Sequence, residues 1–230
     1  MLLRETGKTL LQHTYEAACE ARRPAGVLVA TDHAEIAAEV ERFRGDFVMT
    51  SPQCASGTDR VAEVARKLPR ADIVVNVQGD EPEMSPHNID RVIELLEENP
   101  SAGMATLATP LPSPEQLANP ACVKVVFDHL GRALYFSRSP IPFVREPDNS
   151  QPFNKPPLFY QHLGIYAYRP EVLLEAAALP PSSLEQAEKL EQLRMLQHGG
   201  TILVGVVEHA SSGIDTPADY AAFVSRHRAA

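Results

Sequence analysis

The chain is poor in cysteine. Cys19, Cys54 and Cys122 are odd in number, lie far apart and form no C-x-x-C pair. Nothing in that spacing suggests a zinc or redox site, and it suits a reducing cytoplasm. Long apolar runs are missing too, since none approaches the ~18 residues that would read as a membrane-spanning helix. The opening Met-Leu-Leu-Arg-Glu-Thr-Gly-Lys lacks the basic-then-apolar order of a signal peptide. A cytoplasmic protein that neither is exported nor enters a membrane is expected. Positive charge is also short, with 21 Lys and Arg against 30 Asp and Glu. A field of that sign repels nucleic acid and anionic lipid, so any phosphate must be gripped locally.

What is present is an alternation of helical and strand patterns over 230 residues, enough for one α/β domain spanning 1–230. Leu11, Tyr15 and Ala18 share one face of a helix predicted from Thr9 to Arg22, and Val27 to Ala30 reads as a buried strand. Asp32 is placed to cap the next helix, which turns Ile36, Ala37, Val40 and Phe43 inward. Phe47 to Met49 and Ile73 to Val77 are further strands, and a helix follows Ser85 with Pro86 at its first position. Strands near 105–107, 123–127 and 133–136 crowd together around Gly131 as an antiparallel insertion. Six prolines between 140 and 157 predict a long surface loop crossing a pocket or a partner. A strand from His162 to Tyr168, helices at 170–178 and 184–198, a strand at 202–207 and a last helix opened by Thr216 and Pro217 complete the pattern. The expected fold is α/β and Rossmann-like: a mixed, mostly parallel central sheet with an antiparallel insertion, its ligands beyond the carboxyl ends of the strands.

Polar residues that follow the strands therefore carry most weight. In Gln78-Gly79-Asp80-Glu81-Pro82 the glycine lets backbone approach a ligand, and Asp80 offers a hard oxygen for Mg²⁺. The same segment also reads as a plain strand-to-helix turn. Asp215, in Gly213-Ile214-Asp215-Thr216-Pro217, is a second carboxylate, although Thr216 makes that stretch an ordinary helix entry as well. Should Asp80 and Asp215 converge, they could hold a Mg²⁺ that neutralises triphosphate oxygens, which is the chemistry of nucleotidyl transfer. Ser56, Gly57 and Arg60 at a helix start suit a base or an anion, or a simple cap. His162, Gly164 and Tyr166 alternate onto one strand face; Glu188, Glu191 and Gln192 lie along one side of a predicted helix; Arg138 could clamp a carboxylate. Gly7-Lys8-Thr9 ends like a P-loop, but position 2 is Leu2 where that motif needs glycine, so an ATPase is rejected.

Seven segments taken together resemble the CMP-Kdo synthetases, the 3-deoxy-manno-octulosonate cytidylyltransferases: VNVQGDEP at 75–82, SGTDR at 56–60, GMATL at 103–107, ALYFSR at 133–138, HLGIY at 162–166, LEQLR at 190–194 and GIDTP at 213–217. The resemblance runs from about Leu3 to Arg226. It implies the nucleotide-diphospho-sugar transferase fold, a homodimer, CTP and Kdo as substrates, and lipopolysaccharide biosynthesis as the destination. It also implies Asp80 and Asp215 as catalytic magnesium ligands, with Ser56, Gly57 and Arg60 near the cytidine half. Gln78, Arg138, His162, Tyr166, Glu191 and Gln192 would line the Kdo pocket.

Family members open with a strand and a basic loop resembling P-A-R-x-x-S-x-R-x-P-G-K, and this sequence starts after that point. The expectation is that Met1 is an internal methionine of a longer protein and that the main triphosphate cradle precedes it. Two readings compete with Kdo activation: a cytidylyltransferase for another acidic sugar such as a sialic acid, and a non-catalytic sugar-binding relative.

Overall fold

A computed structural model describes residues 1–145, 157–208 and 213–229. In chain order its elements are α1 (Leu10–Cys19), β1 (Val29–Thr31), α2 (Ala34–Arg42), β2 (Phe47–Met49), α3 (Gly57–Ala65), β3 (Val74–Asn76), α4 (Pro86–Glu98), β4 (Met104–Pro110) and α5 (Pro114–Ala118). There follow β5 (Lys124–Phe127), β6 (Ala133–Ser137), β7 (Tyr160–Tyr168), α6 (Pro170–Ala178), α7 (Ser183–Glu188), α8 (Gln192–Gln197), β8 (Ile202–Val206) and α9 (Pro217–Ala229). These residues fall into two compact units, one drawn from 1–71, 76–91 and 211–230, the other from 72–75 and 92–210.

In the first unit β1 and β2 run parallel, Val29 opposite Phe47, with α2 as the crossover that parallel strands need. Thr9 caps α1 by accepting from the Gln12 N–H at 3.2 Å, and Ser56 caps α3 by accepting from the Asp59 N–H at 3.1 Å. Each hydroxyl satisfies a donor that a helix start leaves open. Asp32 does not cap α2: the residue before that helix is His33, which makes no capping bond, because the Asp32 carboxylate is drawn to Arg60 instead. Leu10 of α1 packs with Tyr220, Phe223 and Val224 of α9, and Ile214 covers that cluster.

The second unit is built on a sheet ordered β6-β5-β7-β4-β8, with β3 pairing β7 beside this path. The β4–β8 pair is parallel, while β4–β7, β5–β7 and β5–β6 are antiparallel. The class is thus mixed α/β. Six of the seven residues of β4 are buried, which is why its sequence reads as a continuous run without alternation. Gly131 turns the chain between β5 and β6 at φ +77°, and its carbonyl accepts from the Val204 N–H at 2.7 Å. An added Cβ there would sit 3.3 Å from that carbonyl partner's own oxygen, on a backbone that side chains rarely adopt.

One further expectation changes. The helix predicted over 184–198 is two helices, because Lys189 adopts the left-handed conformation at φ 55° and ends α7. Residues 140–145 carry no regular element, and 146–156, the rest of the proline-rich stretch, lie outside the described residues.

Candidate active site

In the first unit the two acidic turns meet through the backbone. The Ile214 N–H donates to the Asp80 carbonyl at 2.9 Å, so the turn after β3 and the entry to α9 lie side by side. The Thr14 hydroxyl, from α1, donates to the Gly79 carbonyl at 2.9 Å and steadies the same turn. Asp80 is half-buried and Asp215 exposed, as is Gln78. The ledge over Gly79 is occupied by the Met1 side chain, whose methyl carbon would stand 2.5 Å from an added Cβ. Glu83 receives Arg226 of α9 through two bonds of 2.9 and 2.5 Å, a second tie between the same two segments. Asp219 accepts from the Thr216 N–H and hydroxyl at 2.8 and 2.7 Å, which sets the start of α9 just after Asp215.

Ser56, Gly57 and Arg60 lie at the amino end of α3 in the same unit. Arg60 reaches the Asp32 carboxylate at 3.0 Å and the Thr50 hydroxyl at 2.5 Å, bridging the residues that follow β1 and β2. Burial works to raise the Asp32 carboxyl, but its own backbone N–H and the Arg60 guanidinium outweigh that and hold it below the usual range. Asn76, the last residue of β3, lies 4.0 Å from where a Gly57 Cβ would stand. The small residues of this turn therefore face the end of a strand.

Of the sugar residues expected from the sequence, Gln78 falls in the first unit, and Arg138, His162, Tyr166, Glu191 and Gln192 fall in the second. A register break in the β4–β7 ladder pairs Thr106 with Tyr166 and the next residue, Leu107, with Leu163, leaving Gly164 and Ile165 as a bulge. In a straight strand His162 and Tyr166 would lie roughly 13 Å apart; here their ring centroids are 5.4 Å apart. Bulges re-aim side chains in this way. Phe136 of β6 packs edge-on to His162 at 4.9 Å. The Thr106 hydroxyl plugs the bulge, 2.7 Å from the Ile165 carbonyl, 3.1 Å from the Leu163 carbonyl and 3.0 Å from His162 Nε2. Burial pushes the His162 pKa down to about 3, so the ring is neutral near pH 7.

The break at Lys189 separates residues expected on one helix face. Glu188 turns to β6, accepting from the Ser137 hydroxyl at 2.6 Å and the Arg138 N–H at 2.9 Å. Glu191 is exposed at the start of α8, and Gln192 is buried there. Gln192 Nε2 is the one buried side-chain polar atom without a hydrogen-bond partner among the described residues. The guanidinium of Arg138 donates to the carbonyls of Glu188 at 2.7 Å and Pro120 at 3.0 Å, so a carboxylate ligand would compete with main-chain oxygens for it.

Two supports were not singled out from the sequence. Lys124 is fully buried, and its ammonium donates to the carbonyls of Asn119, Cys122 and Arg138 at 3.0, 2.6 and 2.6 Å. Burial pushes its pKa down. Its one signal was a charge inside the apolar run Val123-Lys124-Val125-Val126. Arg194 of α8 grips Glu185 of α7 through two bonds of 2.8 and 2.6 Å, tying the two short helices together. That pair holds the Glu185 carboxyl below its usual range.

The profile of the cytidylyltransferase family matches residues 2–202. The 3-deoxy-manno-octulosonate cytidylyltransferase of Rhodopirellula baltica is 47% identical over 227 residues, covering 98% of this chain and 91% of that protein. The enzyme of the same name from Geobacter sulfurreducens is 48% identical, covering 93% and 86%. A solved CMP:2-keto-3-deoxy-manno-octonic acid synthetase complexed with CTP superposes with a TM-score of 0.91 at 39% identity, covering 99% of this chain and 91% of that one. The 4-diphosphocytidyl-2C-methyl-D-erythritol synthase of Anaerococcus prevotii, 15% identical with a TM-score of 0.61, shares the fold alone. By the match along its length, the chain belongs to the 3-deoxy-manno-octulosonate cytidylyltransferase family.

Proposed function

We propose that this protein transfers CMP from CTP to 3-deoxy-D-manno-octulosonate (Kdo), giving CMP-Kdo and diphosphate. The observation that carries the nucleotidyl-transfer chemistry is the bond between the Ile214 N–H and the Asp80 carbonyl, which sets two acidic turns side by side in a chain of this family. In this reading Asp80 and Asp215 hold Mg²⁺. The donor set suits it: two hard carboxylate oxygens, one half-buried and one exposed, on turns free of histidine and cysteine. Among the described residues no group of three metal-ligating side chains gathers, so phosphate oxygens and water would complete the sphere. When bound, the ion supplies charge neutralisation at the triphosphate.

The anomeric hydroxyl of Kdo attacks the α-phosphorus in line, the bond to the bridging oxygen breaks, and diphosphate leaves. Ser56, Gly57 and Arg60 serve the cytidine half, Arg60 with its charge already balanced by Asp32. Gln78, Arg138, His162, Tyr166, Glu191 and Gln192 serve Kdo. The unmet amide donor of Gln192 supports this, because a buried donor without a partner is satisfied by a ligand oxygen. The proposal includes one functional domain over 1–230, a homodimer and a cytoplasmic setting. No described helix is long and apolar enough to cross a membrane.

The test is diphosphate release from CTP with Kdo, with a sialic acid, and with no sugar, each with and without Mg²⁺. Release with Kdo and Mg²⁺ is expected. Turnover with sialic acid in its place would reassign the sugar, and CTP binding without turnover would make the protein a non-catalytic relative.

A further inference from the structure

We infer that Thr106 is a positioning residue that holds His162 as its Nε2–H tautomer, leaving Nδ1 as an acceptor that takes a hydroxyl of the sugar rather than its carboxylate. The inference rests on the sugar-binding reading of this region. It follows from counting hydrogens. The Thr106 hydroxyl has one hydrogen and three near neighbours: the Ile165 carbonyl at 2.7 Å, the Leu163 carbonyl at 3.1 Å and His162 Nε2 at 3.0 Å. Carbonyl oxygens only accept, so the hydrogen belongs to them. Toward the ring Thr106 can therefore only accept, and Nε2 must carry a proton. A bare Nε2 would pull the hydroxyl hydrogen away and leave two buried carbonyls facing oxygen lone pairs, inside a bulge where the ladder register breaks.

Burial keeps the ring neutral, so a proton on Nε2 leaves Nδ1 bare. Among the described residues the ring makes no other hydrogen bond. A bare Nδ1 accepts from a hydroxyl and repels a carboxylate or an ether oxygen, which makes it a selector of ligand orientation. Tyr166, brought to 5.4 Å by the same bulge, walls that ring. The tautomer of one histidine thus follows from a threonine on the neighbouring strand.

The test needs no substrate at first. Nitrogen NMR of ¹⁵N-histidine-labelled protein reads which ring nitrogen of His162 is protonated. Wild type and Thr106→Ser are expected to show a neutral ring with the proton on Nε2. Thr106→Val, which keeps the shape and loses the hydroxyl, is expected to lose that single tautomer. Its KM for Kdo should rise about tenfold, while kcat and the KM for CTP hold, and Thr106→Ser should recover the wild-type value. A proton on Nδ1 in wild type overturns the inference, as does a folded Thr106→Val protein with unchanged tautomer and KM. Should Thr106→Val fail to fold, the spectra of wild type and Thr106→Ser decide alone. A wild type with an Nε2–H ring but no Kdo-dependent diphosphate release overturns the functional reading and leaves the tautomer assignment standing.

Discussion

The acidic turns of the first unit and the bulged sheet of the second place polar groups in opposite ways. Asp80 and Asp215 sit on connecting segments, half-buried and exposed, and Asp80 accepts a backbone hydrogen bond from Ile214, the neighbour of Asp215. Thr106, His162 and Lys124 are enclosed by the sheet and its hairpin, where every donor has to find an acceptor inside the protein. Chemistry on turns can be changed with little effect on folding, because water replaces what is lost. Chemistry inside a sheet is bound up with stability, because nothing replaces it.

Substitutions that separate activity from stability sharpen that contrast. The largest expected effect is on turnover: Asp80→Asn should lower kcat/KM by roughly 10³-fold, the scale of several kcal/mol of charge stabilisation. Its Tm should stay within about 2 °C of wild type. A large fall in Tm, read by calorimetry, would break the comparison at its first term. Lys124→Met should do the reverse, taking the ammonium away from the carbonyls of Asn119, Cys122 and Arg138 and lowering stability by about 3 kcal/mol in urea denaturation. An unchanged urea midpoint would mean that the cage around Lys124 is not needed.

Acid should act on the second unit through His162. Its folded pKa of about 3 lies below the ordinary 6.5, so between these values the unfolded chain binds the extra proton. Stability from this group is therefore complete above pH 6.5 and lost as pH falls toward 3, by about 2 kcal/mol between pH 8 and pH 5. His13, in the first unit, also has its pKa lowered by burial and moves stability the same way. His162→Gln should flatten the pH dependence of the urea midpoint by that amount; an unaltered slope would place the effect elsewhere. The smallest change expected is at the α3 cap, where Ser56→Ala should remove about 1 kcal/mol, a modest shift in Tm that Ser56→Asp largely restores.

Much of this organisation is readable along the chain. Thr9 and Ser56 mark helix starts because their hydroxyls reach N–H groups three residues ahead, an interaction within one turn. The turn holding Asp80 announces itself because an apolar strand ends in Gln-Gly-Asp. What was not legible depended on distant partners. Asp32 looks like a cap until Arg60, on another helix, claims it. The run from Leu184 to His198 has the spacing of one helix, and only the left-handed Lys189 divides it, sending Glu188 to β6 and Gln192 into the interior. Strand alternation places His162 and Tyr166 on one face, but says nothing of the bulge that brings their rings together.

The sequence by itself determined the α/β order, the capped helix starts and the identity of the turns that carry carboxylates, because these rest on contacts a few residues long. The tertiary structure alone decided which carbonyls surround Lys124, which strand plugs the bulge, and hence which nitrogen of His162 meets the Thr106 hydroxyl. Those outcomes join residues as far apart as Thr106 and Ile165. A buried hydrogen has to go to whichever acceptor the fold brings within 3 Å, and local pattern carries no record of it.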